Sequence, residues 1–170
     1  MGVYYSYCNL DRGEYFSIGL STGAIKRAGI GRNLGARALG LLLTVDGRWF
    51  GQRICVLGDD HPVPEELLEE LPLRGSEATS DWLAEHFCDA RAVAIRVLLA
   101  CDAEHMGVLL ESDDALLTEV AFFADHGDGA CQDFLEAKLG SDWRRLSGSR
   151  IDYSGITGRV LGRALPVPED

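Results

Sequence analysis

The residues with most capacity for chemistry lie in KRAGIGRNLGAR, positions 26–37, where four cationic side chains and three glycines share twelve positions. Glycines let a backbone approach a phosphate closely, and a helix N-terminus presents unpaired N–H groups and a positive dipole end. Lys26, Arg27, Arg32 and Arg37 could then neutralise an anion. The spacing departs from known cradles. In GIGRNLG the last glycine lies one residue beyond the dinucleotide fingerprint, no strand immediately precedes it, and no Gly-Lys-Ser/Thr follows. Two readings stand: an anion-binding loop, or a loop whose arginines pair with acidic residues elsewhere, which is the plainer of the two.

Other candidates are weaker in their own terms. Gly19-Leu20-Ser21-Thr22-Gly23 matches a nucleophile elbow, but only a hairpin precedes it, whereas an elbow needs a strand within a wide sheet and a helix after the serine. Asp125-His126-Gly127-Asp128-Gly129 with Asp133 and Glu136 resembles a calcium loop that lacks two oxygen ligands and the turn glycine, so it reads as a connection to a capped helix. His61, His86, His105 and His126 form no H-x-x-x-H pair, and His86 reads as a partly buried structural residue. Gly58-Asp59-Asp60-His61 follows a strand end and is the best cluster for acid–base or metal work, although a turn with solvated carboxylates is the plainer reading. Cys8, Cys55, Cys88, Cys101 and Cys131 are dispersed, which fits neither a disulfide framework nor a zinc site. They read as small, mostly buried hydrophobes in a reducing, cytoplasmic environment. No metal, cofactor or catalytic residue is implied.

The elements that must carry these residues read as α+β, a small N-terminal sheet (hairpin plus strand) packed against several C-terminal helices. VYYSYCNLDRGEYFSIGL is a hairpin turning at Asp11-Arg12-Gly13. Residues 21–33 form a loop, and Asn33 caps a helix over 34–43 whose Gly35 and Gly40 weaken it unless they permit close packing. Residues 53–59 form a buried strand and PEELLEEL a short acidic helix. Thr79 or Ser80 caps a helix presenting Trp82, Leu83, His86 and Phe87. Residues 90–100 alternate like a strand yet are long enough for a helix, and both assignments stay open, with a lean to helix. Ser112-Asp113-Asp114 caps ALLTEVAFFAD, and Cys131, Phe134, Leu135 and Leu139 mark one face of a helix closed by Gly140. Residues 151–162 read as a last strand. A chain of 170 residues fits a single domain, 1–165, with 166–170 as a frayed tail.

Charge is segregated within a net of -11. Residues 26–54 hold six basic side chains against one acidic, residues 55–137 twenty acidic against three basic, and residues 138–168 six basic against two. A field that negative repels nucleic acid over most of the surface, so direct nucleic-acid binding is not expected. The N-terminus has neither the basic nor the apolar segment of a secretory signal, and no apolar run approaches the ~20 residues of a membrane span.

YYSYCN at 4–9, EYFSIG at 14–19, Lys26 and GRWFGQRICVLGDD at 47–60 resemble a loose group of small, uncharacterised bacterial proteins. The likeness covers about the first sixty residues. It implies a bacterial source and lends no activity or catalytic residue. Fourteen arginines against two lysines, with abundant Ala, Leu and Gly, fit a GC-rich genome.

Size and charge together imply a non-catalytic cytoplasmic interaction protein, immunity-, antitoxin- or accessory-subunit-like, that docks a macromolecular partner with a basic surface. The acids expected at that interface are Asp59, Asp60, Glu65, Glu66, Glu69, Glu70, Asp113 and Asp114. The alternative is a nucleotide- or phosphometabolite-binding protein or enzyme using residues 26–37, with Asp59 or His61 serving metal or proton chemistry.

Overall fold

The computed structural model describes residues 5–17, 33–58, 63, 67 and 80–153. Strands β1 (Tyr5–Asn9) and β2 (Glu14–Ser17) pair antiparallel, with Tyr7 opposite Phe16 and Asn9 opposite Glu14. The Asn9 side chain accepts from the Arg12 amide at 3.0 Å, and Gly13 turns the chain with φ 61°, a conformation glycine adopts without steric penalty. Strand β3 (Ile54–Gly58) lies antiparallel on the other side of β1, placing Cys55 opposite Cys8. The sheet order is β3-β1-β2-β4, where β4 (Cys88–Asp89) runs parallel to β2. The sheet is thus not made from the N-terminal third alone. A two-residue strand has no period of its own, and only pairing with β2 defines it.

Every residue of β1 is buried, because apolar layers cover both faces of the sheet. Tyr5, Tyr7 and Phe16 join a large core with Trp49 and the helices, whereas Cys8 joins a smaller cluster with Leu57, Val63, Trp82, Leu83 and Phe87.

Helix α1 (Leu34–Leu42) starts as expected at Asn33, whose side chain accepts from the Ala36 amide at 2.9 Å. Its buried face, Gly35, Ala38 and Leu42, packs against α3 (Arg91–Cys101). Gly35 therefore serves close packing. Gly40 is exposed, and a Cβ there meets nothing within 4 Å. Gly40→Ala should accordingly stabilise the protein by about 0.5–1 kcal/mol, seen as a rise in urea midpoint at unchanged slope. A fall would show that the backbone there is not ordinary helix. Beyond α1 the chain folds back so tightly that a Cβ on Gly47 would overlap the Leu42 carbonyl oxygen. This return lets the Trp49 amide donate to that same carbonyl at 2.9 Å and seats the Trp49 ring, fully buried, 5.3 Å from Phe16.

The remaining helices follow as α2 (Ser80–His86), α3, α4 (Ala103–Ser112), α5 (Asp114–Asp125), α6 (Gly129–Leu139) and α7 (Trp143–Leu146). Asp113 caps α5 through the Leu116 amide at 2.9 Å, Asp128 caps α6 through the Cys131 amide at 3.1 Å, and Gly140 ends α6 with φ 85°. Nine consecutive residues of α5, Leu116–Ala124, are buried, as expected of a helix enclosed on all sides. Residues 91–101 are helical, which resolves the alternative left open above.

Two expectations need correction. Ile151–Tyr153 make no strand, and instead the Thr118 hydroxyl donates to the Arg150 carbonyl at 3.4 Å and accepts from the Asp152 amide at 3.3 Å. Cys8 and Cys131 are buried, but Cys101 is exposed and Cys55 and Cys88 are half-buried, so the cysteines are not uniformly core residues. The 21–32 loop, residues 154–162 and the 166–170 tail lie outside the described residues, as does PEELLEEL apart from Leu67, which is helical. No helix among the described residues is long and apolar enough to cross a membrane.

Candidate functional site

Of the proposed anion cradle, Arg37 alone is described. It projects from α1 to Asp102, between α3 and α4, with Nη2 2.7 Å from Oδ2, so its charge is taken up by a carboxylate of the acidic segment. Lys26, Arg27 and Arg32 lie outside the described residues, as do Ser21, Asp59, Asp60, His61, Glu65, Glu66, Glu69 and Glu70. Asp113 is the cap of α5, and Asp114 meets Arg150 Nε at 2.6 Å. Arg150 also donates to the Leu110 and Glu111 carbonyls at 2.8 and 3.2 Å, tying the end of α4 to the start of α5.

In the calcium-like stretch Asp125 and Asp128 have structural partners. Asp125 accepts from Arg144 Nε at 2.7 Å and from the Tyr153 hydroxyl at 2.6 Å, while Asp128 caps α6 and meets Arg96 Nε at 2.5 Å. Among the described residues no three His, Cys, Asp or Glu side chains are placed to hold a metal ion. His86 is exposed rather than partly buried. Its ring stacks on Trp82 with centroids 4.7 Å apart, and its Nδ1 lies 2.9 Å from the Trp82 carbonyl oxygen. His126 repeats the arrangement on Phe122, at 4.0 and 2.8 Å.

Two buried charged centres flank the β2–β4 pairing. The Glu14 carboxylate, 2% exposed, accepts from Arg12 Nε at 2.9 Å, from Arg48 Nε and Nη2 at 3.2 and 2.7 Å, and from Trp49 Nε1 at 2.7 Å. Burial pushes its pKa up, but hydrogen bonds from Arg48, Trp49 and Arg12 outweigh that and leave it below the ordinary glutamate value. Arg91 pairs with Asp89 at 2.7 Å and with Glu119 of α5 at 3.0 Å, all three almost wholly buried. Burial disfavours its charge, yet Asp89, Glu119 and Tyr15 raise its pKa further above an already high value. Glu14 faces several donors and Arg91 two carboxylates. These centres tie the sheet to the chain around Trp49 and to α5.

The signal for Glu14 was present in the sequence. In Glu14-Tyr15-Phe16-Ser17 it shares the face of Phe16 by strand alternation, and an inward carboxylate requires cationic partners. Arg12 is a near neighbour, but Arg48 and Trp49 lie over thirty residues on, and no local pattern names them.

Among the described residues, the exposed charge left without an ion pair is mainly acidic. All nine described arginines (12, 37, 48, 53, 91, 96, 144, 145 and 150) are ion-paired within the chain. Lys138 extends past Gly107 with its ammonium over the Phe134 ring. Asp46, Glu85, Glu104, Glu111 and Asp133 are exposed, with no ion pair among the described residues. Glu104, Val108 and Glu111 fall at i, i+4 and i+7 on α4, and Val108 is 62% exposed. They form one outward stripe on the helix.

Comparison with protein-family models, with curated proteins and with solved structures finds no match.

Proposed function

We propose that this is a non-catalytic bacterial interaction protein of the cytoplasm, which docks a macromolecular partner with a basic surface through the outer face of α4. One observation carries the reading. The described arginines are all neutralised internally, while Glu104 and Glu111, on either side of an exposed valine, have no ion pair among the described residues. The charge offered outward from the described residues is therefore negative, as suits a basic partner, and the valine supplies apolar area at the centre of the stripe. Five unbridged cysteines support a reducing compartment. The anion-cradle alternative has less behind it, because Arg37 is committed to Asp102.

The test is charge reversal. Glu104→Lys with Glu111→Lys should lower the association rate of an affinity-captured basic partner by about tenfold or more and flatten its salt dependence. Both positions are exposed helix surface, so thermal stability should move by only about 0.5 kcal/mol. Asp46→Lys, on a separate loop, serves as the control and should leave association nearly unchanged. Association indifferent to the paired reversal would remove α4 as the docking face.

A further inference from the structure

Cys8 and Cys55, forty-seven positions apart in the sequence, are direct cross-strand partners in the β1–β3 pairing. No other two of the five cysteines share a strand pairing. Directly opposed residues of antiparallel strands have Cα atoms about 4.5–5.5 Å apart, inside the roughly 4.4–6.8 Å that a disulfide spans. Both side chains border the Trp82–Phe87 cluster, and the Cys8 thiol donates to the Ser6 carbonyl at 3.8 Å. They differ in access, since Cys8 is fully buried under the Trp82–Phe87 cluster whereas Cys55 is half-buried on β3, an outer strand of the described sheet.

We propose that Cys8 and Cys55 form a redox site, a dithiol that a hydroperoxide oxidises reversibly to a disulfide joining β1 to β3. Cys55 is the attacking residue and Cys8 the resolving one. Cys55 is the more exposed of the two, its Cys8 neighbour lowers its pKa and burial raises that of Cys8, so the accessible sulfur is the one that attacks. Its thiolate attacks one peroxide oxygen, the O–O bond breaks, and the departing hydroxide takes a proton to become water, leaving a sulfenic acid on Cys55. The Cys8 sulfur then attacks the sulfenic sulfur. The S–S bond forms, the S–O bond breaks, and the released hydroxide takes the Cys8 proton as a second water. Two thiols and one hydrogen peroxide thus yield one disulfide and two waters, and an external thiol reverses the bridge by exchange. Cys131 is a poor competitor, being buried with its thiol pushed up by burial and by Asp128.

The experiment treats the reduced full-length protein with hydrogen peroxide, alkylates it under denaturing conditions and maps it without reduction by mass spectrometry. The expected result is loss of two of the five alkylation sites, a peptide containing Cys8 joined to one containing Cys55, and recovery of both sites with dithiothreitol. The exposed Cys101→Ser variant should give the same linkage, and Cys55→Ser should abolish it while Cys8 stays fully alkylated. Should Cys55→Ser fold poorly, the wild-type map decides alone. Full alkylation of both cysteines after peroxide, or conversion of Cys55 to sulfinic acid without linkage to Cys8, overturns the proposal.

Discussion

Arg91→Met is expected to destabilise the protein by about 3–5 kcal/mol, the range for removing one partner from a buried ion network. Asp89 and Glu119 keep side-chain exposures of only 10% and 5%, so water cannot replace the guanidinium. The asymmetry of such sites supplies the control. Arg91→Met combined with Asp89→Asn and Glu119→Gln leaves no uncompensated charge and should recover most of the loss, because the penalty belongs to the stranded carboxylates rather than to the absent attraction. Urea unfolding at neutral pH measures both variants. A single-variant loss below about 1 kcal/mol would show that the two carboxylates reach solvent and that the helix–sheet junction is looser than its geometry.

Glu14→Gln should be the next most damaging change, at about 2–4 kcal/mol, because Trp49 Nε1 and both arginines lose a charged acceptor while Arg12 and Arg48, at 35% and 29% exposure, recover some hydration. The pH dependence gives it a distinct signature. Glu14 has a folded-state pKa below its unfolded value of about 4.3. Its stabilisation is therefore complete above that unfolded value and is lost as pH falls through the lower folded one. The gap between wild type and Glu14→Gln should be constant from neutral pH down to about 5 and close progressively below about 4. A gap that stays constant into the acid range would assign the loss to packing instead of ionisation.

Local chemistry made much of this fold legible in the sequence. Asn33, Asp113 and Asp128 each announce a helix start, and Asp11-Arg12-Gly13 announces the hairpin, because a cap or turn is recognised within four residues. Helix α3 was ambiguous for a specific reason. Its buried face is 91, 94, 95, 98 and 99, a regular helical stripe whose first member is an arginine, and charge hides that member from a hydrophobic reading. The β4 strand, the donors around Glu14 and the Cys8–Cys55 opposition depend on pairings between distant segments, so no local pattern carried them. The dispersed spacing that argued against a disulfide framework was a statement about sequence distance, and strand register is indifferent to it. Of the candidate binding residues, Arg37, Asp113 and Asp114 are engaged in contacts within the chain. Ion pairing of that kind has no signature in charge composition.

The strand order has a consequence for synthesis. Among the described strands the earliest, β1, is interior to the sheet, yet β3 and then β4 join that sheet only after long intervening segments. At about 5–20 residues per second, Asp89 follows Asn9 by roughly 4–16 s. In the described sheet β1 keeps an open edge until β3 is made and β2 until β4 is made, and a two-stranded hairpin alone is only marginally stable. Such edges are templates for pairing with other chains. The β2 edge of the newborn chain is thus open to pairing with other chains until residue 89 is added.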